Sequence, residues 1–181
     1  HIYCAGDGDM HTICNCEENN IDVQSEDGKM SPQHMLTTTF ADELKLFYEN
    51  SKVYGVSLKD RGAILPAGHS ANGAYWMDSE GKWITSSFYM QALPDYIQKI
   101  NETNPAQNYL KGKWEVKDKF SHNLLTKYNL KGGSAIKNTP FGNTILKDLA
   151  LEILEKEALG QSKATDVLTI SFSSTDYIGH E

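Results

Sequence analysis

The chain lacks most of the features that settle a protein's class at a glance. Its 181 residues hold only three cysteines, Cys4, Cys14 and Cys16. None of them forms a C-x-x-C pair, and an odd count gives no complete disulfide framework. The spacing leaves three readings open: one disulfide with a spare thiol, three free thiols, or a zinc site with His11 as fourth ligand. No apolar run approaches the length of a membrane span. Net charge is −7 and no Lys/Arg cluster is long enough to follow a phosphate backbone, which argues against nucleic acid as a partner. The chain opens on His1 with no signal peptide, as expected of a mature or trimmed piece whose start says nothing about export. There is no internal repeat. What remains is an ordinary globular composition, 39% hydrophobic and 23% charged, on a length that suits one domain over residues 1–181.

The pattern along the chain is α/β. Residues 1–35 are non-periodic and rich in Gly, Asp and Asn, an irregular arm with one short strand expected at 2–4. Thr39 followed by Asp42 has the spacing of a helix N-terminal cap. Phe40, Leu44 and Phe47 share one helical face, which predicts an amphipathic helix over 40–49. An apolar strand follows at 52–58, ending directly in Lys59-Asp60-Arg61-Gly62. The runs 74–78 and 82–88 flank Asp78-Ser79-Glu80-Gly81 and predict a β-hairpin. Pro94 suits a first helical position, with Leu93, Tyr96, Ile97 and Ile100 toward the core. Residues 103–138 are polar and weakly patterned, and are expected as a surface excursion with a strand near 114–116. From Thr139-Pro140, two rows (Ile145, Leu149, Ile153 and Leu146, Ala150, Leu154, Ala158) predict a helix of about twenty residues, roughly 30 Å long, stopped by Gly160. A buried strand is expected at 167–172. Helices and strands in this order give a mixed sheet flanked by helices with a β-hairpin.

The candidate chemistry lies beyond two strand ends. Lys59 and Arg61 follow the first, where a fork-shaped guanidinium and a point charge could bind an anionic phosphoryl group across a tight turn at Gly62. As a bare pattern, two surface charges on a solvated loop explain them as well. Asp176 and His180 follow the second strand, a carboxylate and an imidazole that suit zinc. If the two strands share a sheet, both pairs could face one crevice, since ligands collect beyond the carboxyl ends of strands in open α/β sheets. His69 reads as a hydrogen-bonded loop histidine. His11, His34 and His122 have no evident partner. Thr37-Thr38-Thr39 has no base beside it, and capping explains it better than nucleophilic chemistry.

Long segments also carry a family resemblance. Leu36-Thr37-Thr38-Thr39, Asp42-Glu43-Leu44-Lys45-Leu46, and the run from Ser51 through Lys59-Asp60-Arg61-Gly62 to His69 resemble bacterial alkaline phosphatases of the phosphate-irrepressible type. Gly73-Ala74-Tyr75-Trp76, Thr139-Pro140-Phe141-Gly142-Asn143-Thr144 and Ser171-Phe172-Ser173-Ser174-Thr175-Asp176-Tyr177-Ile178-Gly179-His180 extend it. That family is grouped by fold with the nucleotide pyrophosphatase/phosphodiesterases. The likeness spans roughly 28–180, and 103–138 matches only loosely.

The resemblance implies an internal portion of an alkaline-phosphatase-like fold and of a zinc-dependent phosphomonoesterase. Asp176 and His180 would be two ligands of one zinc in a two-zinc site, and Lys59 and Arg61 would contact phosphoryl oxygens. The family attacks phosphorus with a threonine and forms a phospho-enzyme. That threonine would lie upstream of residue 1, and the remaining ligands would lie outside the chain, so the isolated chain is expected to be inactive. The substrate would be a small phosphate ester and the location periplasmic or secreted. Two alternatives stand beside this: a portion of a phosphodiesterase or nucleotide pyrophosphatase, and a non-catalytic module binding an anion or a partner.

Overall fold

A computed structural model describes residues 5–14 and 26–180. The strand expected at 2–4 lies outside the described residues. Among the described residues, five strands form a mixed sheet: β1 (Thr12–Ile13), β2 (Val53–Ser57), β3 (Gly73–Met77), β4 (Trp83–Ser86) and β7 (Val167–Ser171), in the order β1-β4-β3-β2-β7. β2 pairs in parallel with both β3 and β7, in register with β7 from Val53 opposite Val167 to Ser57 opposite Ser171. β3 and β4 form the expected hairpin, with Trp76 opposite Ile84. Asp78 closes its turn by accepting from the amides of Glu80 and Lys82, and Gly81 takes a φ of 83° that side chains resist.

Alternation along the strands sends residues to two faces. Tyr54, Val56, Tyr75, Met77 and Trp83 face the larger core. There α3 (Asp95–Glu102), α4 (Pro105–Leu110) and α6 (Pro140–Lys156) cover the sheet, bringing Ile97, Leu110, Leu146 and Leu149. Ala74, Trp76 and Ile84 face α2 (Asp60–Ala67), which brings Ala63, Ile64 and Ala67. This helix, not anticipated from the sequence, connects parallel strands β2 and β3, the arrangement such a crossover requires. It sits so close to β2 that a Cβ on Gly55 would stand 2.2 Å from the Ala63 carbonyl oxygen.

Helix α1 (Phe40–Phe47) starts where the sequence indicates. Thr39 and Asp42 form a reciprocal capping box. Its apolar face is not the buried one: Phe40 and Phe47 are 75% and 81% exposed, while Ala41 and Asp42 are buried. Helix α6 begins at Pro140 behind Thr139 and runs 17 residues. Its first row is buried, but the second leaves the core at Leu154. The turn out of the helix is made by Ala158, at φ 51°, ahead of Gly160.

Two other expectations need correction. Strand β7 is only half-buried, with Ile170 exposed and Phe172 exposed just past its end, because it forms the edge of this sheet. Residues 103–138 are a surface feature only in the hairpin of β5 (Lys113–Val116) and β6 (Phe120–Asn123). Around it, α4, α5 (Leu124–Lys131) and a 3-10 segment (Gly132–Asn138) send Ala106, Leu110, Leu124, Ala135 and Ile136 into the core. Their apolar residues are spaced singly among polar ones, so no helical stripe marks them in advance.

Candidate active site

Lys59 and Asp176 lie 117 positions apart and meet because β2 and β7 are adjacent and parallel. Ser57 ties the two strand ends. Its hydroxyl donates to the Ser171 carbonyl at 3.0 Å and accepts from the Lys59 amide at 3.2 Å. Beyond them each chain turns directly into a helix. α2 starts at Asp60 and α7 (Ser174–Gly179) starts three residues after β7. The N-terminal part of α6 seats α7. Asn143 accepts from the Ser174 amide at 3.4 Å, and a side chain on Gly142 would collide with the Ser174 hydroxyl.

The two cations therefore do not flank a turn. Gly62 lies inside the first turn of α2, where its missing side chain lets the helix rest on Ser57 and Ser171. Lys59 Nζ donates to Asp176 Oδ2 and lies 4.5 Å from the centre of the Tyr177 ring. His180 Nε2 stands 3.4 Å from Asp176 Oδ1. The hydrogen bond and charge of Lys59, with a smaller contribution from His180, hold the Asp176 carboxyl below its ordinary range. Arg61 is exposed. Burial raises the Tyr177 hydroxyl above its usual value, and the Arg61 charge opposes that rise. Tyr177 is thus the shared neighbour of both cations. Its only sequence signal is its place next to Asp176.

A cleft of about 170 Å³ opens beside this cluster, lined by Leu58, Lys59, Asp60, Trp76, Lys137 and Tyr177 among others. The Lys137 ammonium donates to the Met77 carbonyl at 2.8 Å. Burial lowers its pKa against the opposing pull of Asp27, Asp78 and Asp60. Nothing in the local sequence around Lys137 marked it.

The other candidates fall elsewhere. His69 lies against Asp42 and the Met35 carbonyl, as a hydrogen-bonded loop histidine would. His122 packs beside Trp114 and Phe120 on the exposed hairpin. Cys14 is disulfide-bonded, which removes the reading of three free thiols. Cys4 and Cys16 lie outside the described residues.

Zinc would need more than is assembled here. Among the described residues, no three His, Cys, Asp or Glu side chains come together as a metal site. Asp176 and His180 supply two donors, and Lys59 already occupies one carboxylate oxygen. By themselves these residues do not fit the ion, which takes three or four protein ligands.

No family model matches the chain. A protein named calcium-transporting ATPase from Myroides odoratus is 35% identical over the whole chain, which covers 37% of it. The alkaline phosphatases PhoV of Synechococcus elongatus and PafA of Elizabethkingia meningoseptica are each 35% identical over 99% of the chain and 36% of their own length. The crystal structure of wild-type PafA superposes with a TM-score of 0.85 at 32% identity, covering 99% of this chain and 38% of that one. A PafA variant with a threonine, an asparagine, a lysine and an arginine replaced gives 0.86 at 31% identity. The chain therefore spans little more than a third of these relatives. Over that span, in sequence and in fold, it corresponds to a portion of the alkaline phosphatases related to PafA and PhoV.

Proposed function

We propose that the chain is part of a zinc-dependent phosphomonoesterase that works through a phosphothreonine intermediate, with the nucleophile outside these residues. One observation carries the reading. Lys59 meets Asp176 beyond two adjacent parallel strand ends, in a chain 35% identical to two alkaline phosphatases. The spacing of Lys59 and Arg61 is also that of the lysine and arginine replaced together in the PafA variant. The fold is like the phosphatase's, so the phosphatase reading is taken over the transport activity named for the Myroides relative.

In this reading Lys59 and Arg61 bind non-bridging phosphoryl oxygens. A monoester dianion gives them more charge to meet than a diester monoanion. The threonine oxygen forms its bond to phosphorus as the alcohol oxygen leaves, and water then breaks the threonine–phosphorus bond to release phosphate. Asp176 and His180 would supply two of the zinc ligands, and the rest of the parent protein would supply the others. Zinc, when bound, would supply Lewis-acid charge to the reaction. The disulfide at Cys14 fits an exported protein, because such bonds persist in oxidising compartments.

The test compares p-nitrophenyl phosphate with bis(p-nitrophenyl) phosphate, in the full-length protein with zinc supplied. The monoester should turn over faster, and faster diester cleavage would replace the reading with a phosphodiesterase. The 181-residue chain should show no turnover above its Asp176→Ala variant. Zinc-dependent turnover that the variant loses would mean that a nucleophile lies within these residues.

A further inference from the structure

A larger pocket opens in the helical layer, between α3, α4 and α6. It holds about 370 Å³ and shares no lining residue with the cleft beside Lys59. The chain turns between α3 and α4 at Asn104, which takes a φ of 48°, and both helices rest on α6. Buried Trp83, Ile145 and Leu149 floor the pocket, and Ile100 and Tyr109 form its sides. Two contacts fix these surfaces. The Asn101 side chain accepts from the Trp83 amide and donates to the Trp83 carbonyl, each at 2.8 Å. The Tyr109 ring stacks on Phe141 with centres 5.2 Å apart. At the rim, Asp148, Leu151 and Glu152 stand on one side of α6, three and four residues apart, and Leu151 is 54% exposed. Among the described residues no lysine or arginine lines the pocket, so its charged lining is wholly acidic.

We propose that this pocket binds a small organic cation, an ammonium group carried on an apolar aryl or alkyl body. The body fills the space over Trp83, Ile145 and Leu149 and removes their apolar faces and its own from water. The ammonium meets Asp148 and Glu152 at the rim. An apolar pocket with a few polar groups that fix orientation is the usual form of a small-molecule site, and this volume lies in the usual range. A carboxylate on the same body would face two like charges instead. The net charge of −7 also favours the approach of a cation. Lys147 reaches Asp148 Oδ1 at 2.7 Å, but both side chains are half-exposed, and such a pair is weak enough for an incoming ammonium to replace. The site does not depend on the phosphatase reading.

The test titrates 4-phenylbutylamine, 4-phenylbutanol and 4-phenylbutyrate into the 181-residue chain and into the full-length protein. The methyl signals of Ile100, Ile145 and Leu149 are followed by NMR. The amine should bind about fivefold more tightly than the alcohol, and the carboxylate more weakly than either. Asp148→Asn with Glu152→Gln keeps the shape of the rim and removes its charge. That double variant should lower amine affinity about fivefold and leave the alcohol unchanged. Equal binding of the three compounds, or an amine affinity that the double variant does not alter, overturns the choice of a cation. Titrations that leave the three methyl signals unmoved overturn the site. Binding by the 181-residue chain that the full-length protein lacks overturns it too, because the rest of the parent protein would then cover the pocket. None of these outcomes bears on the phosphatase reading.

Discussion

Asp42 shows how much one side chain can hold at the residue scale. Its carboxylate accepts from the Thr39 amide and hydroxyl and from the Ser70 amide, with His69 alongside. Burial alone would raise its pKa. The hydrogen bonds from Thr39 and Ser70 outweigh burial together, with help from His69, and bring it to about 2. A carboxyl whose pKa is lower folded than unfolded adds stability that is fully present above its unfolded value, near 4. That contribution fades as pH falls from about 4 through about 2. Asp42→Ala should therefore cost about 2–3 kcal/mol at neutral pH, from the lost cap and unpaired donors. The gap between variant and parent should narrow in urea melts at pH 2–3. A gap that stays constant with pH would rule out the charged form as the source.

At the scale of elements, two contacts fix the sheet against its helices. Helix α2 lies on β2 at Gly55, where an added methyl would meet the Ala63 carbonyl oxygen and the Ala67 methyl. Backbone oxygen cannot rotate away as a side chain can. Gly55→Ala should thus destabilise by about 3 kcal/mol, read as a drop in Tm. At the other end of β2, Glu157 closes helix α6. Its carboxylate accepts from Tyr54 at 2.7 Å and from Tyr96 at 2.9 Å, joining β2, α3 and α6. Burial, with Glu157 close by, raises the pKa of both phenols, so they stay neutral donors. Glu157→Ala would strand two largely buried hydroxyls and should cost about 2–4 kcal/mol. Glu157→Gln keeps an acceptor and should recover part of that loss in the same melts.

Across the whole molecule, the exposed apolar surface is concentrated in places. Leu36, Phe40, Leu46 and Phe47 are exposed in and just before α1, and Ile170 on the edge strand β7 and Phe172 just past its end are exposed too. Unpaired strand edges and clustered apolar side chains both promote association. The 181-residue chain should therefore self-associate as its concentration rises, measured by light scattering after size exclusion. Phe40→Glu with Phe47→Lys should lower that tendency without lowering Tm, since neither ring is buried. A monodisperse monomer at high concentration would contradict this.

What the sequence determined by itself was local. The capping box at Thr39 and Asp42, the hairpin around Asp78 and the start of α6 at Pro140 all rest on hydrogen bonds or backbone limits within a few residues. Periodicity marked the buried row Ile145, Leu149, Ile153 for the same reason. Residues 103–138 and helix α2 were not legible, because short elements bury too few residues to show a period. Lys59, Arg61, Asp176 and His180 were legible as strand-end residues. That Lys59, Asp176 and His180 come into contact was decided only when β2 paired with β7, through contacts such as Ser57 to Ser171 at a separation of 114 residues. Tertiary packing also chose which face of α1 to bury, and it set Tyr177 beneath Lys59. Strand pairing and helix placement follow from which surfaces can be removed from water together, a property of the assembled chain and of no segment within it.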